Sequence, residues 1–203
     1  MTSRPAAAKD LPREVSVIVV AGGVLAGMTR VARRRGELHP CEHDVFHAID
    51  GLPGALLAPV YVVMQAGSLA AVFVAAAIAW RVAGRRAAAT LFGTGFSAWL
   101  GAKLVKRRVG RGRPSAHLEA VMVRGPTERG LGFPSGHSAV AFAMSTAVAA
   151  QVPRCWRPVL WGVASVVGVS RVYVGAHLPL DVAGGAALGV ALGTAGRLVA
   201  DRT

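Results

Sequence analysis

The sequence predicts an all-α fold, a bundle of six transmembrane helices that forms a single integral-membrane domain over residues 1–203. Composition is the first reason, because 53% of the residues are hydrophobic, 16% are charged and the mean hydropathy is +0.48, too apolar for an ordinary soluble domain. The second reason is a series of nearly uncharged runs, close to the roughly 17–25 residues that a helix needs to cross a bilayer. The third is the abundance of Ala and Gly, whose small side chains allow close helix packing in lipid.

Six apolar segments follow one another along the chain, and each is predicted to form one helix. They are residues 15–31, 56–82, 87–105, 137–152, 158–176 and 180–200. Residues 1–14 are predicted to be a polar N-terminal tail, and the first segment a retained anchor, because no small-residue cleavage site follows it. Pro153, Pro158 and Pro179 lie at boundaries of the later segments, where proline commonly ends or begins a helix.

The segment between the first two helices, residues 37–52, is predicted to form an interfacial helix. Val45, Phe46, Ile49 and Leu52 recur at helical spacing, so one face of this helix is apolar. Such a helix lies along the membrane surface with its apolar face among the lipid headgroups.

The same segment raises the alternative of a metal site. Its potential ligands are His39, Cys41, His43 and His47. The last two are one helical turn apart, as in some zinc sites, but the full spacing matches no standard zinc finger or metalloprotease pattern. We therefore predict no metal here and interpret these residues as the solvated face of the interfacial helix.

The net charge is +13, from 23 Lys and Arg against 10 Asp and Glu, which in a soluble protein suggests a nucleic acid as partner. Here the charges lie in short blocks between apolar runs, so we predict membrane lipids and no nucleic acid as partners. With a cytoplasmic N-terminus, ten Lys and Arg fall on the cytoplasmic side and thirteen on the other. Discounting the basic loop at residues 106–129, as one that binds phosphate, leaves a preference for this orientation, which places the long loops outside.

Three clusters of polar residues occur at the same end of predicted helices. They cover residues 106–114, 133–138 and 170–181. Together they contain what phosphoryl transfer requires, namely positive charge for the phosphate oxygens, a nucleophile and an acid for the leaving group. The predicted phosphate-binding residues are Lys106, Arg113, Ser135, Gly136 and Arg171. Two of them, Ser135 and Gly136, open a helix, where unpaired backbone N–H groups favour an anion.

Two histidines and one carboxylate predict covalent catalysis. His177 and Asp181 are four residues apart, so Asp181 is expected to accept a hydrogen bond from the His177 ring and to leave the other ring nitrogen for attack on phosphorus. His137 is expected to protonate the departing oxygen and then to activate water. This scheme requires neither a metal nor another cofactor.

The three clusters match, without a substitution, the three-part signature of the type 2 phosphatidic acid phosphatase superfamily, and the chain resembles its membrane lipid phosphatase branch. The matching residues are Lys106, Arg113, Pro114, Pro134, Ser135, Gly136, His137, Ser170, Arg171, His177 and Asp181. The resemblance implies a phosphohistidine intermediate on His177, oriented by Asp181, and a catalytic loop region on the extracytoplasmic face. It also implies that Lys106, Arg113, Ser135, Gly136 and Arg171 bind the phosphate.

Two matters stay open at this point. Arg107, Arg108 and Arg111 lie inside the first motif, where they either serve a second phosphate or anionic headgroups or are merely solvated. The expected substrate is a lipid phosphate, either a polyprenyl diphosphate or a glycerolipid phosphate such as phosphatidate or phosphatidylglycerophosphate.

Two other functions are disfavoured. The vanadium haloperoxidases of the same superfamily are soluble, whereas this chain is strongly apolar. A non-catalytic lipid-phosphate-binding protein or transporter needs no nucleophile or acid, whereas His137, His177 and Asp181 are all present.

Overall fold

The computed structural model describes residues 7–34, 38–126 and 129–201, and every regular element in these ranges is a helix. The α-helices are α1 (Ala7–Ala32), α2 (Pro40–Asp50), α3 (Leu57–Met64), α4 (Leu69–Val109), α5 (Gly136–Ala149), α6 (Arg157–Tyr173) and α7 (Pro179–Ala200). Short 3₁₀ turns lie at Gly54–Leu56, Gln65–Gly67, Pro114–Ala116 and Arg154–Trp156. The prediction of an all-α fold is confirmed for these ranges.

The longest helix, α4, is a hairpin whose two arms, residues 69–83 and 85–109, meet at Gly84. Gly84 has φ 86° and ψ −178°, a backbone conformation that residues with a Cβ disfavour. The rings of Phe73 and Phe92, one from each arm, lie 5.3 Å apart, so the chain reverses direction between them. This reversal lies between the predicted apolar segments 56–82 and 87–105.

Helices α5 and α7 form the centre of the bundle. α7 packs against α5, α1 and α4, and α5 packs in addition against α4 and α6. Helices α2 and α3 both pack against α6, and α2 also contacts α7. A buried apolar cluster between α4, α5 and α7 contains Val72, Ala98, Ala102, Ala139, Val140, Ala143 and Leu188. Most of these side chains are small, which lets the helix backbones approach closely.

The predicted count of six membrane spans is not recovered. By length and composition, two of the described helices can cross a membrane, Leu11–Ala32 and Pro179–Ala200. Pro40–Asp50 and Gly54–Gly67, bent by 79°, add a third if they form one broken span. The predicted segment 56–82 is broken by a 3₁₀ turn, and α5 has only 14 residues. A helix of that length measures about 21 Å, against roughly 30 Å of hydrocarbon.

The predicted polar tail also needs correction. Helix α1 begins at Ala7, so residues 7–14 are helical, whereas residues 1–6 lie outside the described ranges. Glu14 is buried, and its Oε1 lies 2.6 Å from Arg197 Nη2 on α7. This ion pair fixes the start of α1 to the end of α7.

The apolar face of α2 differs from the prediction as well. Phe46 is fully buried in a cluster with Val172 and Leu178, because α2 packs against α6. Val45 stays exposed. Helix α2 therefore docks on the bundle through Phe46 and does not place that ring among lipid headgroups.

Candidate active site

The three sequence clusters lie at one end of the bundle, because two helices end there and two begin there. Lys106 is in the last turn of α4, and Arg171 is in the last turn of α6. His137 is in the first turn of α5, and Asp181 is in the first turn of α7. The packing of α5 against α4, α6 and α7 brings these four turns together.

The cations of the first cluster are tied to the other two clusters by hydrogen bonds. Lys106 Nζ donates to the carbonyl oxygens of Leu131 and Gly132, at 3.0 and 2.9 Å, just before the Pro-Ser-Gly-His turn. Arg113 Nη1 donates to the carbonyl oxygen of Ala176, at 2.7 Å, in the turn between α6 and α7. Both positive charges are therefore held in place by the fold itself, which favours electrostatic stabilisation of a phosphate.

The start of α5 has the arrangement of an anion site. Ser135 is the N-cap residue; it is fully buried, and its Oγ accepts a hydrogen bond from the Ser138 N–H at 3.5 Å. The Ser135 N–H donates to the carbonyl oxygen of Asp181 at 2.8 Å, which joins the starts of α5 and α7. Gly136 and His137 are the first residues of the helix, where backbone N–H groups lack partners within the helix and the helix dipole favours negative charge.

His177 and Asp181 form the predicted pair. His177 is 2% exposed, and Asp181 is fully buried. His177 Nδ1 lies 3.4 Å from Asp181 Oδ2, and the same oxygen accepts a hydrogen bond from the Leu178 N–H at 3.0 Å. Because Nδ1 faces the carboxylate, Nε2 is the ring nitrogen on the side away from Asp181.

Arg171 supports the same turn from α6. Its side chain is buried, with Nη1 3.0 Å from Met64 Sδ at the end of α3. Its carbonyl oxygen accepts hydrogen bonds from the N–H groups of Ala176 and His177, at 3.1 and 3.0 Å. The last turn of α6 is therefore hydrogen-bonded directly to the backbone of His177, the predicted nucleophile.

Two neighbouring cavities open onto these residues. One, of about 310 Å³, is lined by Lys106, Arg113, Gly136, His137 and His177. The other, of about 210 Å³, shares Arg113 and His137 and is also lined by Arg171. None of the described residues that line either cavity is Asp or Glu. We refer to the two cavities together as the chamber; cations and two histidines line it. Ser135 and Asp181 are fully buried and line neither cavity.

Sequence reasoning missed the partners of Arg111. This residue, considered for a second phosphate or solvent, is 8% exposed and lines neither cavity. Its guanidinium donates to Asp181 Oδ1 at 3.0 Å and to both carboxylate oxygens of Glu42, at 3.1 and 2.7 Å. Burial alone lowers the pKa of Arg111, but the hydrogen bonds and charges of Glu42 and Asp181 outweigh it, so the pKa is raised. Glu42 precedes the predicted apolar stripe of α2 by one turn, which is the only sequence signal for it.

The zinc alternative for α2 has no support in the described part of the chain. No group of three or more His, Cys, Asp or Glu side chains there is arranged to hold a metal ion. His43 Nδ1 lies 3.4 Å from Asp44 Oδ1, and the His43 and His47 rings lie 4.4 Å apart. The two histidines are therefore neighbours on one face of α2.

Known proteins are similar to this chain in sequence and in fold. Over 194 residues it is 33% identical to decaprenylphosphoryl-5-phosphoribose phosphatase of Mycobacterium tuberculosis, and the match covers 92% of this chain and 90% of that protein. Over 105 residues it is 39% identical to lipid A 1-phosphatase of Rhizobium etli. That match covers 50% of this chain and 45% of the Rhizobium protein, so it spans about half of each.

The fold is similar to that of the transmembrane PAP2-type phosphatidylglycerolphosphate phosphatase from Bacillus subtilis. The TM-score is 0.68 at 20% sequence identity, with 93% of this chain and 96% of that chain covered. The sequence model of the PAP2 superfamily matches residues 86–202, more than half of the chain, and these residues include all three clusters. The chain therefore belongs to the PAP2 superfamily.

Proposed function

We propose that this protein is a metal-independent lipid phosphatase that hydrolyses a phosphomonoester or pyrophosphate of a lipid through a phosphohistidine intermediate. The observation that carries the proposal is the chamber lined by Lys106, Arg113, His137 and His177, which no described Asp or Glu lines. The positive charge of this chamber favours a negatively charged ligand such as a phosphate. Two histidines beside that phosphate supply a nucleophile and an acid.

In the first step, His177 Nε2 attacks phosphorus and the bond from phosphorus to the lipid oxygen breaks. His137 gives its proton to that oxygen as the lipid leaves. Asp181, 3.4 Å from Nδ1, stabilises the positive charge that develops on the His177 ring. Lys106, Arg113 and Arg171 neutralise the equatorial phosphate oxygens, and the N–H group of Gly136, which lines the chamber, serves the same end.

In the second step, water attacks phosphorus, the bond between phosphorus and Nε2 breaks, and His137 takes the proton of the water. Inorganic phosphate leaves, and both histidines return to their starting states. His177 is thus the nucleophile of the first step, water is the nucleophile of the second, and His137 acts as the acid and then as the base.

The proposed substrate class is a phosphate or diphosphate carried by a lipid. The relatives are named for three different lipids, a decaprenyl phosphoribose, lipid A and phosphatidylglycerolphosphate, which share an apolar anchor and a phosphate. The apolar helices Leu11–Ala32 and Pro179–Ala200 suit a protein that meets such a substrate within a bilayer. Polyprenyl diphosphate, phosphatidate and phosphatidylglycerophosphate are the lipids we propose to test.

We also propose that the chamber faces the extracytoplasmic side. Arg81, Arg85 and Arg86 flank the turn at Gly84, and this turn is at the opposite end of the second arm of α4 from Lys106. Exposed short basic turns next to apolar helices favour the cytoplasmic side of a membrane. At the other end, Lys106, Arg113 and Arg171 line the chamber, and Arg111 and Arg124 pair with acids, so we discount these five charges in judging orientation.

The test is phosphate release by the purified protein in detergent, with the three lipids compared side by side in the presence of EDTA. We expect turnover of at least one lipid without divalent metal, loss of turnover in His177→Ala, and a fall of about 100-fold or more in kcat for His137→Ala. The matched control is His117→Ala, because His117 is exposed and lines neither cavity. Near-normal turnover by His177→Ala, or inhibition by EDTA, would overturn the mechanism, and binding without turnover would favour a lipid-phosphate-binding protein.

A further inference from the structure

We propose that Glu42 and Arg111 are positioning residues that hold the Asp181 carboxylate, and through it the His177 ring, in the geometry for attack. This inference rests on the proposed function, because it assigns a task to Asp181 in that reaction. The starting observation is that Glu42, Arg111, Asp181 and His177 form one continuous chain of contacts.

Both oxygens of Asp181 are occupied. Oδ2 accepts from the Leu178 N–H at 3.0 Å and lies 3.4 Å from His177 Nδ1. Oδ1 accepts from Arg111 Nη1 at 3.0 Å. A carboxylate held at both ends cannot rotate about its own axis, so the oxygen that faces His177 stays in place.

Glu42 holds Arg111 and the first turn of α7 together. Its two oxygens accept from Arg111 Nη1 and Nη2 in a bidentate pair, at 3.1 and 2.7 Å. Oε1 also accepts from the Leu180 N–H at 3.0 Å, one residue before Asp181. Glu42 on α2 therefore binds both Arg111, which is the partner of Asp181, and the backbone N–H next to Asp181.

The three charges are buried together. The side chains of Arg111, Glu42 and Asp181 are 7%, 11% and 0% exposed. Removing such groups from water costs nearly as much as their attraction returns, so their main effect is on geometry and not on stability. Planar guanidinium and carboxylate groups have fixed hydrogen-bond directions, which suits them to that task.

Arg111 cannot bind the substrate phosphate in this arrangement. Both of its Nη atoms donate to carboxylates, and it lines neither cavity, whereas Arg113, two residues on, lines both. A positioning role therefore predicts an effect on the chemical step and none on phosphate affinity.

The experiment compares Glu42→Gln and Arg111→Lys with wild type. Both replacements keep the approximate size of the side chain, and Glu119→Gln and Arg85→Lys serve as matched exposed controls. We expect kcat to fall by about 10- to 100-fold, since a displacement of about 1 Å costs on that order, with KM within about twofold of wild type. The double variant should lose no more than Arg111→Lys alone, because the two residues act as one unit.

Two inhibitors separate positioning from collapse of the site. Inorganic phosphate needs only the cations, so its inhibition constant should not change. Vanadate mimics the transferring phosphoryl group bonded to His177, so its affinity should fall in proportion to kcat. A parallel loss of phosphate affinity would show a structural role and overturn the inference, as would control-like kcat in both variants. If His177→Ala is inactive while the two variants match their controls, only the positioning role is wrong; if His177→Ala is active, the proposed function itself fails.

Discussion

Arg111 and Arg113 stand two residues apart in one loop, yet their side chains have different partners. Arg113 donates to a backbone carbonyl and lines both cavities, whereas Arg111 is bound by two carboxylates. No helical or strand periodicity exists in this loop, so the sequence alone could not separate the two arginines. The same holds for Glu42, whose partner Arg111 is 69 residues away.

At the residue scale, Arg124 is expected to be a main determinant of stability at the site end. Its guanidinium donates to Asp50 Oδ1 at 3.2 Å and to the carbonyl oxygens of Tyr173 and Leu52, at 2.6 and 3.2 Å, and it lies 4.3 Å from the centre of the Tyr173 ring. It therefore joins the end of α2 to the end of α6.

We expect Arg124→Ala to destabilise the fold by about 3–5 kcal/mol, because it leaves the buried carboxylate of Asp50 without its cation. For a chain of this size that corresponds to a fall in Tm of about 6 °C or more. Thermal unfolding in detergent would measure it, with exposed Arg85→Ala as the control. Equal Tm values for the two variants would contradict this role.

At the level of helices, the packing of α7 on α5 brings the first turn of α5, with His137, beside the first turn of α7, with Asp181. Gly185, Gly189 and Gly193 recur every fourth residue on α7 and face α5. A Cβ at Gly189 would overlap the carbonyl oxygen of Ala139, and one at Gly193 would lie 2.7 Å from that of Ala143. The sequence predicted close packing of small residues, but 25 glycines offered no way to tell which of them lie at a contact.

We expect Gly189→Ala to lower the free energy of unfolding by about 1–3 kcal/mol through overpacking. Turnover should fall as well, because the shift of α7 is passed to Asp181 in its first turn. Gly162→Ala in α6 is the matched control, since no atom lies within 4 Å of a Cβ there, and it should be neutral or stabilising by about 0.5–1 kcal/mol. Tm and kcat are measured for both variants. If the Gly189 variant were as stable as the Gly162 variant, close α5–α7 packing would not be a determinant of stability.

At the scale of the whole molecule, the two cysteines report on orientation. Both are free and exposed, Cys41 on α2 beside Glu42 at the site end, and Cys155 in the 3₁₀ turn after the far end of α5. Two ends of one bundle that spans a membrane must lie on different sides.

If the site is extracytoplasmic, a membrane-impermeant maleimide applied to intact cells should label Cys41, and Cys155 only after the membrane is permeabilised. Cys41→Ser and Cys155→Ser variants, each with a single remaining cysteine, assign the signal. The opposite pattern would place the site in the cytoplasm, and labelling of both before permeabilisation would contradict a bundle that crosses the membrane.

The sequence predicted the helical class, the break between the second and third apolar segments and the three clusters of the candidate site, because apolar runs and short motifs are local properties of a chain. It overestimated the number of spans, since apolar length does not reveal where a helix breaks, as at the 3₁₀ turn Gln65–Gly67. The inward packing of Phe46 and the contacts of Glu42 with Arg111 and of Arg111 with Asp181 could be seen only in the folded chain. Those contacts join residues far apart in the chain, and only the packing of α2, α6 and α7 brings them within reach.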